Sequence, residues 1–220
     1  MNIELKKRIF TSIILLSLLI AMYLYTFMMI ISLIIIAMLT WVEFYGLISK
    51  ILYNNTLENK LLRFLYKATS LAYLSLLVYF IFFIESNFVN LKVYLLYSVL
   101  VAILSDIGGL VCGRIFKGKK LTKISPNKTI SGSIGSFIFS LFLIPIFSQE
   151  LIKYGYLKLI FITMAISLIS QLGDLFISYL KRKAKVKDTS DILPGHGGFL
   201  DRIDGIIFAI PLGILMFYYF

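Results

Sequence analysis

The chain has 220 residues, of which 60% are hydrophobic and 15% charged, whereas an ordinary soluble domain has about 25% charged residues. Its 22 lysines and arginines outnumber its 11 aspartates and glutamates, which gives a net charge of +11. The apolar content excludes a disordered chain, and the lone cysteine, Cys112, excludes an internal disulfide and a thiolate-bound zinc or iron–sulfur site. We therefore predict an integral membrane protein.

Seven uncharged or nearly uncharged runs predict seven membrane-crossing helices, since one crossing needs about 20 apolar residues. Residues 9–42 carry no charge, and as a single helix they would be about 51 Å long, so we predict a tight hairpin of two helices. The third, fifth and seventh spans are predicted at 68–84, 129–149 and 205–220. The fourth (93–113) and sixth (159–180) each contain one acid, Asp106 and Asp174. The predicted fold is an all-α, polytopic membrane protein.

Basic residues predict the orientation of these spans. With seven crossings, 19 of the 22 lysines and arginines fall at the N-terminus or in the loops after spans two, four and six, which the positive-inside rule assigns to the cytoplasm. An alternative for the N-terminus is a signal peptide, but its apolar stretch is too long and has no small-residue cleavage site. We interpret it as the first span of a multi-pass protein of the cytoplasmic (inner) membrane.

The aspartates mark the part of the chain where chemistry is expected, because all six lie after residue 105. Asp106 and Asp174 would each lie roughly 10 to 12 Å inside a helix from its cytoplasmic end. Acids at that depth usually face a protein interior or a water-filled cavity, although a neutral acid that only packs helices together is the alternative. Asp174, Ser178 and Lys181 are spaced i, i+4 and i+7 and therefore share one helix face.

The loop after the sixth span combines glycines with charged residues. Gly195, Gly197 and Gly198 surround His196, and Asp201, Arg202 and Asp204 follow. Glycines let backbone N–H groups approach phosphate oxygens, and carboxylates without cysteine or histidine partners favour a hard cation such as Mg²⁺. The many lysines indicate an anionic substrate, so the combination predicts phosphoryl or nucleotidyl transfer. A Ser/His/Asp triad with Ser178 and His196 is a weaker alternative, because such a site does not need the surrounding cations.

The loop after the fourth span has a second polar cluster. Ser125, Asn127, Lys128 and Thr129 stand where the fifth span begins, so hydroxyls and helix N–H groups there are candidates for binding a phosphate with Lys128 as the counter-charge. The spacing of a Walker A loop is absent. Ordinary capping of the fifth helix is the alternative.

Residues 178–204 resemble the signature of the phosphatidate cytidylyltransferase family, also called CDP-diacylglycerol synthase. The matching positions are Ser178, Leu180, Lys181, Arg182, Lys187, Asp188, Ser190, Leu193, Pro194, His196, Gly197, Gly198, Phe199, Asp201, Arg202, Ile203 and Asp204. Residues 125–129 with Gly132 resemble a second conserved stretch of that family. The chain departs from the family at Ser131, where an acid is usual, and at Gly108 and Gly109, where an alanine and an aromatic residue are usual. The resemblance covers about residues 101–211.

The resemblance implies that CTP and phosphatidate react to give CDP-diacylglycerol and pyrophosphate. It implies an N-terminal transmembrane scaffold of three spans at 1–100, shorter than in longer members, and a catalytic region at 101–220 with cytoplasmic catalytic loops. The implied metal ligands are Asp174 and Asp201, for Mg²⁺, with K⁺ as a candidate second cation. The implied partners are the two substrates and the lipid bilayer, with a homodimer as a candidate assembly and no nucleic acid.

The resemblance also implies roles for the other residues. The implied catalytic set is Asp174, Asp201, Ser178, Lys181, Arg182, Asp188, His196 and Asp204. The implied substrate-binding set is Ser125, Asn127, Lys128, Thr129, Lys187, Gly197, Gly198, Arg202 and Asp106. Within these sets the basic side chains would neutralise the triphosphate, Ser178 and Asp188 would orient groups, and Arg202 and Asp204 would support the metal loop. The alternatives are another CTP-dependent membrane lipid enzyme, of the CDP-archaeol synthase or polyprenol kinase type, or an ion-coupled transporter whose path Asp106 and Asp174 would line.

Overall fold

The computed structural model describes residues 3–87, 92–122, 124–195 and 197–220. The helices in chain order are α1 (Ile3–Leu24), α2 (Thr26–Ile51), α3 (Leu57–Asn87), α4 (Lys92–Phe116), α5 (Ile130–Leu141), α6 (Leu143–Ile146), α7 (Ser148–Leu151), α8 (Tyr156–Lys183), α9 (Leu200–Ile203) and α10 (Ile206–Tyr219). Among the described residues, β-type pairing is limited to two isolated bridges, Lys120 with Thr129 and Leu193 with Gly197. The all-α prediction is confirmed.

Four of these helices, α2, α3, α4 and α8, are long and apolar enough to cross a membrane. Residues Ile9–Leu24 and Ile130–Ile146 form shorter apolar helices, and α10 has 14 residues. Each of the seven predicted spans therefore coincides with a helix or with a run of short helices. This architecture is that of a polytopic membrane protein, in which helices satisfy their own backbone hydrogen bonds within the hydrocarbon region.

The predicted hairpin in residues 9–42 is present. Helix α1 ends at Leu24, α2 begins at Thr26, and the two helices pack together. Tyr25 between them is extended, with φ −124° and ψ 109°. A run of uniformly apolar composition therefore contains the break that its length predicts.

The fifth predicted span, 129–149, differs from a single helix. It consists of α5, α6 and the start of α7, with breaks at Phe142 and Phe147. Pro145 lies in α6 and has no N–H to donate to the carbonyl of Leu141, so the helical hydrogen bonds cannot continue through this point. The hydropathy of the segment is continuous, but its backbone is interrupted by this proline.

Two compact units divide the chain, and the first consists of Met1–Asn87 and Leu180–Ile203. In this unit α2 packs against α1, α3 and the short α9. The apolar side chains of Leu47 and Ile48 on α2 and of Leu74 and Ile81 on α3 are buried. Burial of these residues holds the N-terminal helices and the short α9 in one packed group.

The second unit consists of Phe88–Tyr179 and Asp204–Phe220. Here α4 packs closely on α5 and on α10, and a core that includes Tyr97, Val101 and Ile166 is fully buried. A Cβ at Gly135 of α5 would overlap the Cys112 side chain of α4 and lie 2.8 Å from the Gly108 carbonyl. The absence of a side chain at Gly135 therefore allows the two helices to approach backbone to backbone. The assignment of scaffold and catalytic roles to 1–100 and 101–220 stays a prediction.

Candidate active site

Asp174 of α8 is in contact with two of the residues predicted to act with it. Its Oδ2 forms an ion pair with the Lys128 ammonium, and its Oδ1 accepts a hydrogen bond from Ser178 Oγ at 3.3 Å. Both the Lys128 and Asp174 side chains keep about a quarter of their surface exposed, at 26% and 22%. The i, i+4 spacing from Asp174 to Ser178 thus gives the contact expected of one helix face.

The α4–α5 loop (residues 117–129) carries Lys128 on a short hairpin. Leu121 N–H donates to the Lys128 carbonyl at 2.7 Å, and Ile130 N–H donates to the Lys119 carbonyl at 3.0 Å. Thr129 is the N-cap of α5, since its side chain accepts a hydrogen bond from Gly132 N–H at 3.0 Å. Thr129 therefore caps the helix, and a phosphate-binding role for it stays a prediction.

Gly173, directly before Asp174, lets the beginning of α10 approach α8. A Cβ there would lie 2.5 Å from the Phe208 ring and 2.7 Å from the Asp204 carbonyl. Asp204 itself is 5% exposed, and its Oδ1 accepts a hydrogen bond from Gly205 N–H at 2.9 Å. This close approach keeps the predicted site residue Asp204 beside the helical turn that holds Asp174.

Asp201, at the start of α9, belongs to the first unit, whereas Asp174 belongs to the second. Asp201 has more hydrogen-bond partners than Asp174. Lys181 at the end of α8 donates to its Oδ1 at 2.6 Å, and the side chains are 12% and 4% exposed for Lys181 and Asp201. Its Oδ2 accepts from Thr189 N–H at 2.8 Å, Thr189 Oγ at 2.9 Å and Gly198 N–H at 3.0 Å. Burial raises the pKa of Asp201, but the Lys181 ammonium and two backbone N–H groups outweigh it and hold this pKa below its ordinary value. Asp201 is therefore a buried, ionised carboxylate.

The α8–α9 loop (residues 184–199) uses its glycines to bring backbone and side chains together. Gly197 has φ +81°, which favours glycine, and a Cβ there would lie 3.0 Å from Asp201 Oδ2. A Cβ at Gly198 would overlap Thr189 Oγ and a Glu43 carboxylate oxygen. The sequence predicts that these glycines allow a phosphate to approach the backbone. The structure shows that they also leave room for the side chains of Asp201, Thr189 and Glu43.

Glu43 and Thr189 are members of this site to which the sequence assigned no role. Glu43 lies on α2 in the N-terminal part that the sequence assigned to scaffold, and its carboxylate accepts hydrogen bonds from the α8–α9 loop and from α9. The available signal was an acid that directly follows the uncharged run 9–42. An acid in an apolar helix is costly to bury and therefore indicates function, and this holds for Glu43 as it does for Asp106 and Asp174.

The remaining predicted residues are distributed between surface and interior. Those that are exposed are Asp106, Asn127, Arg182, Lys187, Asp188 and Arg202. Ser125 is half-buried, and its carbonyl accepts a hydrogen bond from Lys128 N–H at 3.1 Å in the turn of the hairpin. His196 lies outside the described residues. The individual roles assigned to all these side chains stay predictions.

Asp174 and Asp201 are the candidate ligands for a hard cation. In the described part of the chain, no group of three or more histidine, cysteine, aspartate or glutamate residues could hold a metal ion. Asp174 and Asp201 nevertheless offer carboxylate oxygens, and one oxygen of each already bonds to a positive ammonium group. Each of these carboxylates by itself suits Mg²⁺, because that ion can take a single protein carboxylate and complete its shell with water and substrate phosphates.

Comparisons with known proteins show which family the chain resembles over almost its whole length. A family model described as the cytidylyltransferase family matches residues 2–220. A phosphatidate cytidylyltransferase of Staphylococcus haemolyticus is 45% identical over 122 residues, which are 54% of this chain and 46% of that protein. Proteins of the same name from Staphylococcus epidermidis (strain RP62A) and Staphylococcus aureus (strain COL) are 40% and 42% identical over 136 residues, 60% of this chain and 52% of theirs. The chain spans about half the length of the curated relatives it matches.

Proposed function

Because the chain belongs to the cytidylyltransferase family, we propose that it transfers the cytidylyl group of CTP to phosphatidate in phospholipid biosynthesis. The single observation that carries this proposal is the pairing of each of the two predicted metal ligands with a lysine, Asp174 with Lys128 and Asp201 with Lys181. Carboxylates suit a cation and ammonium groups suit phosphates, so the two pairs suit a metal–polyphosphate substrate. The names of the similar staphylococcal proteins support the choice of CTP and phosphatidate.

The proposed reaction is an exchange of bonds at one phosphorus atom. A phosphate oxygen of phosphatidate attacks the α-phosphorus of CTP and forms the new phosphorus–oxygen bond of CDP-diacylglycerol. The bond from the α-phosphorus to the oxygen bridging to the β-phosphorus breaks, and pyrophosphate leaves with that electron pair. Such a reaction asks the protein mainly to position charged groups and to stabilise negative charge on oxygen.

The lysines supply this stabilisation in the proposed mechanism. Lys128 and Lys181 exchange their contact with a carboxylate for contacts with the triphosphate, and Arg182 and Lys187 are exposed and add positive charge. Ser178, bonded to Asp174, keeps that carboxylate oriented on the face of α8. The protein therefore exchanges internal ion pairs for ion pairs with substrate, which limits the cost of desolvating each charge.

Each of the two carboxylates is proposed to take part in binding Mg²⁺, with K⁺ as a candidate second cation. When bound, the divalent ion would supply positive charge at the phosphate oxygens and lower the barrier to attack. Asp201 is suited to this role because its pKa lies below the ordinary value, so that it remains ionised. Its Oδ2 is held by three donors, which leaves Oδ1, now bonded to Lys181, as the oxygen that would contact a cation.

The test is an assay of the purified protein in detergent with CTP, MgCl₂ and phosphatidate, in which pyrophosphate and CDP-lipid are both measured. We expect both products in equal amounts, and no product from the wild-type protein would refute the proposal. Asp174→Asn and Asp201→Asn are expected to abolish turnover while the protein stays folded. Asp191→Asn is the matched control, since Asp191 is an exposed acid of the α8–α9 loop, and it should retain activity. Full activity in either of the first two variants would contradict the cation-binding role.

A panel of acceptors separates this proposal from its alternatives. Phosphatidate, its ether-linked archaeal counterpart and a polyprenol are offered one at a time with CTP. Phosphatidate is expected to be used best. Preference for the ether lipid would indicate a CDP-archaeol synthase, and phosphorylation of the polyprenol would indicate a CTP-dependent kinase. Absence of product with all three would leave the transporter alternative.

We propose that the N-terminus and the loops before α3, α5 and α9 face the cytoplasm. The support is the distribution of positive charge, 19 of 22 basic residues, which follows the positive-inside rule. Single cysteines at Asn55 and Glu150, both exposed, test the orientation in intact cells with a membrane-impermeant maleimide. Glu150→Cys should react directly and Asn55→Cys only after permeabilisation, while the native Cys112 is buried and gives a low background. The reverse pattern would refute this orientation.

A further inference from the structure

Glu43, a buried acid of α2, has no part in the reaction as proposed above. It is 4% exposed and stands on a helix long and apolar enough to cross a membrane. Its Oε1 accepts hydrogen bonds from Ser190 Oγ at 2.6 Å and Phe199 N–H at 3.0 Å. Its Oε2 accepts from Thr189 Oγ and from Leu200 N–H, each at 2.8 Å. A buried carboxylate with four donors requires a reason, because burying a charge is costly.

The four donors also distinguish Glu43 from a cation ligand. Each carboxylate oxygen has two acceptor positions, and each already faces two donors. A metal ion at Glu43 would have to displace backbone N–H groups that have no other acceptor in the described structure. The geometry is that of an anion bound by the loop, so that the loop folds around Glu43.

The same loop residues connect Glu43 to Asp201. Thr189 Oγ lies 2.8 Å from Glu43 Oε2 and 2.9 Å from Asp201 Oδ2, so the two carboxylates share its single hydroxyl proton. Along the backbone, Gly198 N–H points to Asp201, and the next two N–H groups, of Phe199 and Leu200, point to Glu43. Asp201 follows directly. The position of Asp201 is therefore determined by a backbone segment whose donors are divided between these two acids.

We propose that Glu43 is a positioning residue for the cytidylyl-transfer reaction, because it anchors the α8–α9 loop and the start of α9 so that Asp201 presents Oδ1 to Lys181 and to the substrate-bound cation. The proposal rests on the proposed function for its catalytic part. Its structural part, that Glu43 fixes the backbone at Phe199 and Leu200, stands independently. The N-terminal helices thereby contribute to the active site through α2 and are more than a membrane anchor.

Glu43→Gln is the sharpest perturbation because it keeps the size of the side chain. In either orientation the amide NH₂ group replaces one oxygen and then faces a backbone N–H, that of Phe199 or of Leu200. The hydroxyls of Thr189 and Ser190 can rotate to accept, but a backbone N–H cannot. One hydrogen bond to a charged group is lost, which corresponds to about 10- to 100-fold in an equilibrium or a rate.

The kinetic test compares Glu43→Gln with Glu85→Gln. Glu85 is the matched control, since it is an acid of α3 in the same unit that accepts a hydrogen bond from Thr26 Oγ at 2.9 Å. For Glu43→Gln we expect kcat to fall and the Mg²⁺ concentration for half-maximal activity to rise, each about 10- to 100-fold, with the KM for phosphatidate changed less than about twofold. Glu85→Gln should behave as the wild type. A fall in kcat with a matching rise in the KM for CTP and in the KM for phosphatidate, but no shift in the Mg²⁺ requirement, would overturn the positioning role.

Hydrogen–deuterium exchange separates failure of this proposal from failure of the proposed function. The amides of residues 199–200 should exchange at least about tenfold faster in Glu43→Gln than in the wild type. In Glu85→Gln their exchange rate should equal that of the wild type. Unchanged exchange in Glu43→Gln would overturn the anchor whether or not the enzyme is active. A wild-type protein that makes no product, together with the expected exchange pattern, would refute only the proposed function and the catalytic part.

A second variant covers the case in which Glu43→Gln does not fold. Thr189→Val keeps the branched shape and the backbone N–H bond to Asp201 but removes the hydroxyl that bridges the two carboxylates. We expect a smaller change in the same direction, a several-fold rise in the Mg²⁺ requirement with the KM for phosphatidate unchanged. A wild-type Mg²⁺ requirement in folded Thr189→Val would overturn the proposed link between Glu43 and Asp201.

Discussion

Replacement of Gly198 by alanine should disrupt the hydrogen bonds by which the Glu43 carboxylate holds the α8–α9 loop. The added methyl group would overlap Thr189 Oγ and Glu43 Oε2 and would lie 2.7 Å from Glu43 Cδ, closer than real Cβ contacts allow. Neither neighbour can move freely, because Thr189 also bonds to Asp201 and Glu43 accepts four hydrogen bonds. The clash must therefore be relieved by a shift of the loop away from α2.

The magnitude follows from the donors that such a shift leaves unpaired. The N–H groups of Phe199 and Leu200 both depend on Glu43, and Leu200 is only 1% exposed. An unpaired buried donor costs about 1–3 kcal/mol, and overpacking costs about 1–3 kcal/mol. We expect the free energy of opening this segment to fall by about 3 kcal/mol, which is roughly a hundredfold increase in the exchange rate of its amides.

The assay is hydrogen–deuterium exchange of the detergent-solubilised protein with peptides that contain residues 199–201. Gly46→Ala is the control, because Gly46 lies on α2 in the same unit and a Cβ there meets nothing within 4 Å. That change should stabilise α2 by about 0.5–1 kcal/mol, since glycine is the weaker helix former. Exchange in Gly198→Ala within about threefold of the wild type would refute the reasoning, as would the same acceleration in both variants.

Three further predictions concern the second unit. Gly135→Ala should lower the free energy of unfolding by about 1–3 kcal/mol because its methyl group would overlap Cys112, and an unchanged thermal unfolding midpoint would contradict this. Ser170→Ala should leave stability unchanged or raise it by about 1 kcal/mol, since its buried hydroxyl has no hydrogen-bond partner in the described structure; a clear drop in the midpoint would argue against it. Lys128→Ala should raise the KM for CTP about 10- to 100-fold with little change in the KM for phosphatidate. A rise in the KM for phosphatidate alone, measured by steady-state kinetics, would contradict the contact between Lys128 and CTP.

The helices were predictable from the sequence to the extent that their cause is local. A break within residues 9–42 follows from length alone, because 34 uncharged residues exceed one crossing, and the structure places it at Tyr25. The break within 129–149 had a local cause as well, Pro145, but a count of apolar residues does not register a missing N–H group. Hydropathy therefore located the spans, and backbone chemistry decided where they are continuous.

The candidate site was predictable only in its local contacts. The spacing of Asp174 and Ser178 gave a hydrogen bond that the structure contains. Lys181 was placed on the same helix face by its spacing, yet its partner is Asp201, 20 residues further along the chain. A flexible lysine bonds to the nearest carboxylate in space, and that partner cannot be read from helical periodicity.

The sequence by itself determined that this is a polytopic α-helical membrane protein, and its signature residues identified the family. Both follow from local rules, since apolar runs form helices in lipid and a motif is a fixed order of residues along the chain. Only the tertiary structure decided that Glu43 anchors the loop before Asp201. Its partners lie 146 to 157 residues away in the chain, and contacts at such separations depend on how α2 packs against α9. In the sequence, an acid within an apolar helix indicates only that burying its charge is costly. The packing of α2 supplies the four hydrogen-bond donors that stabilise the Glu43 carboxylate.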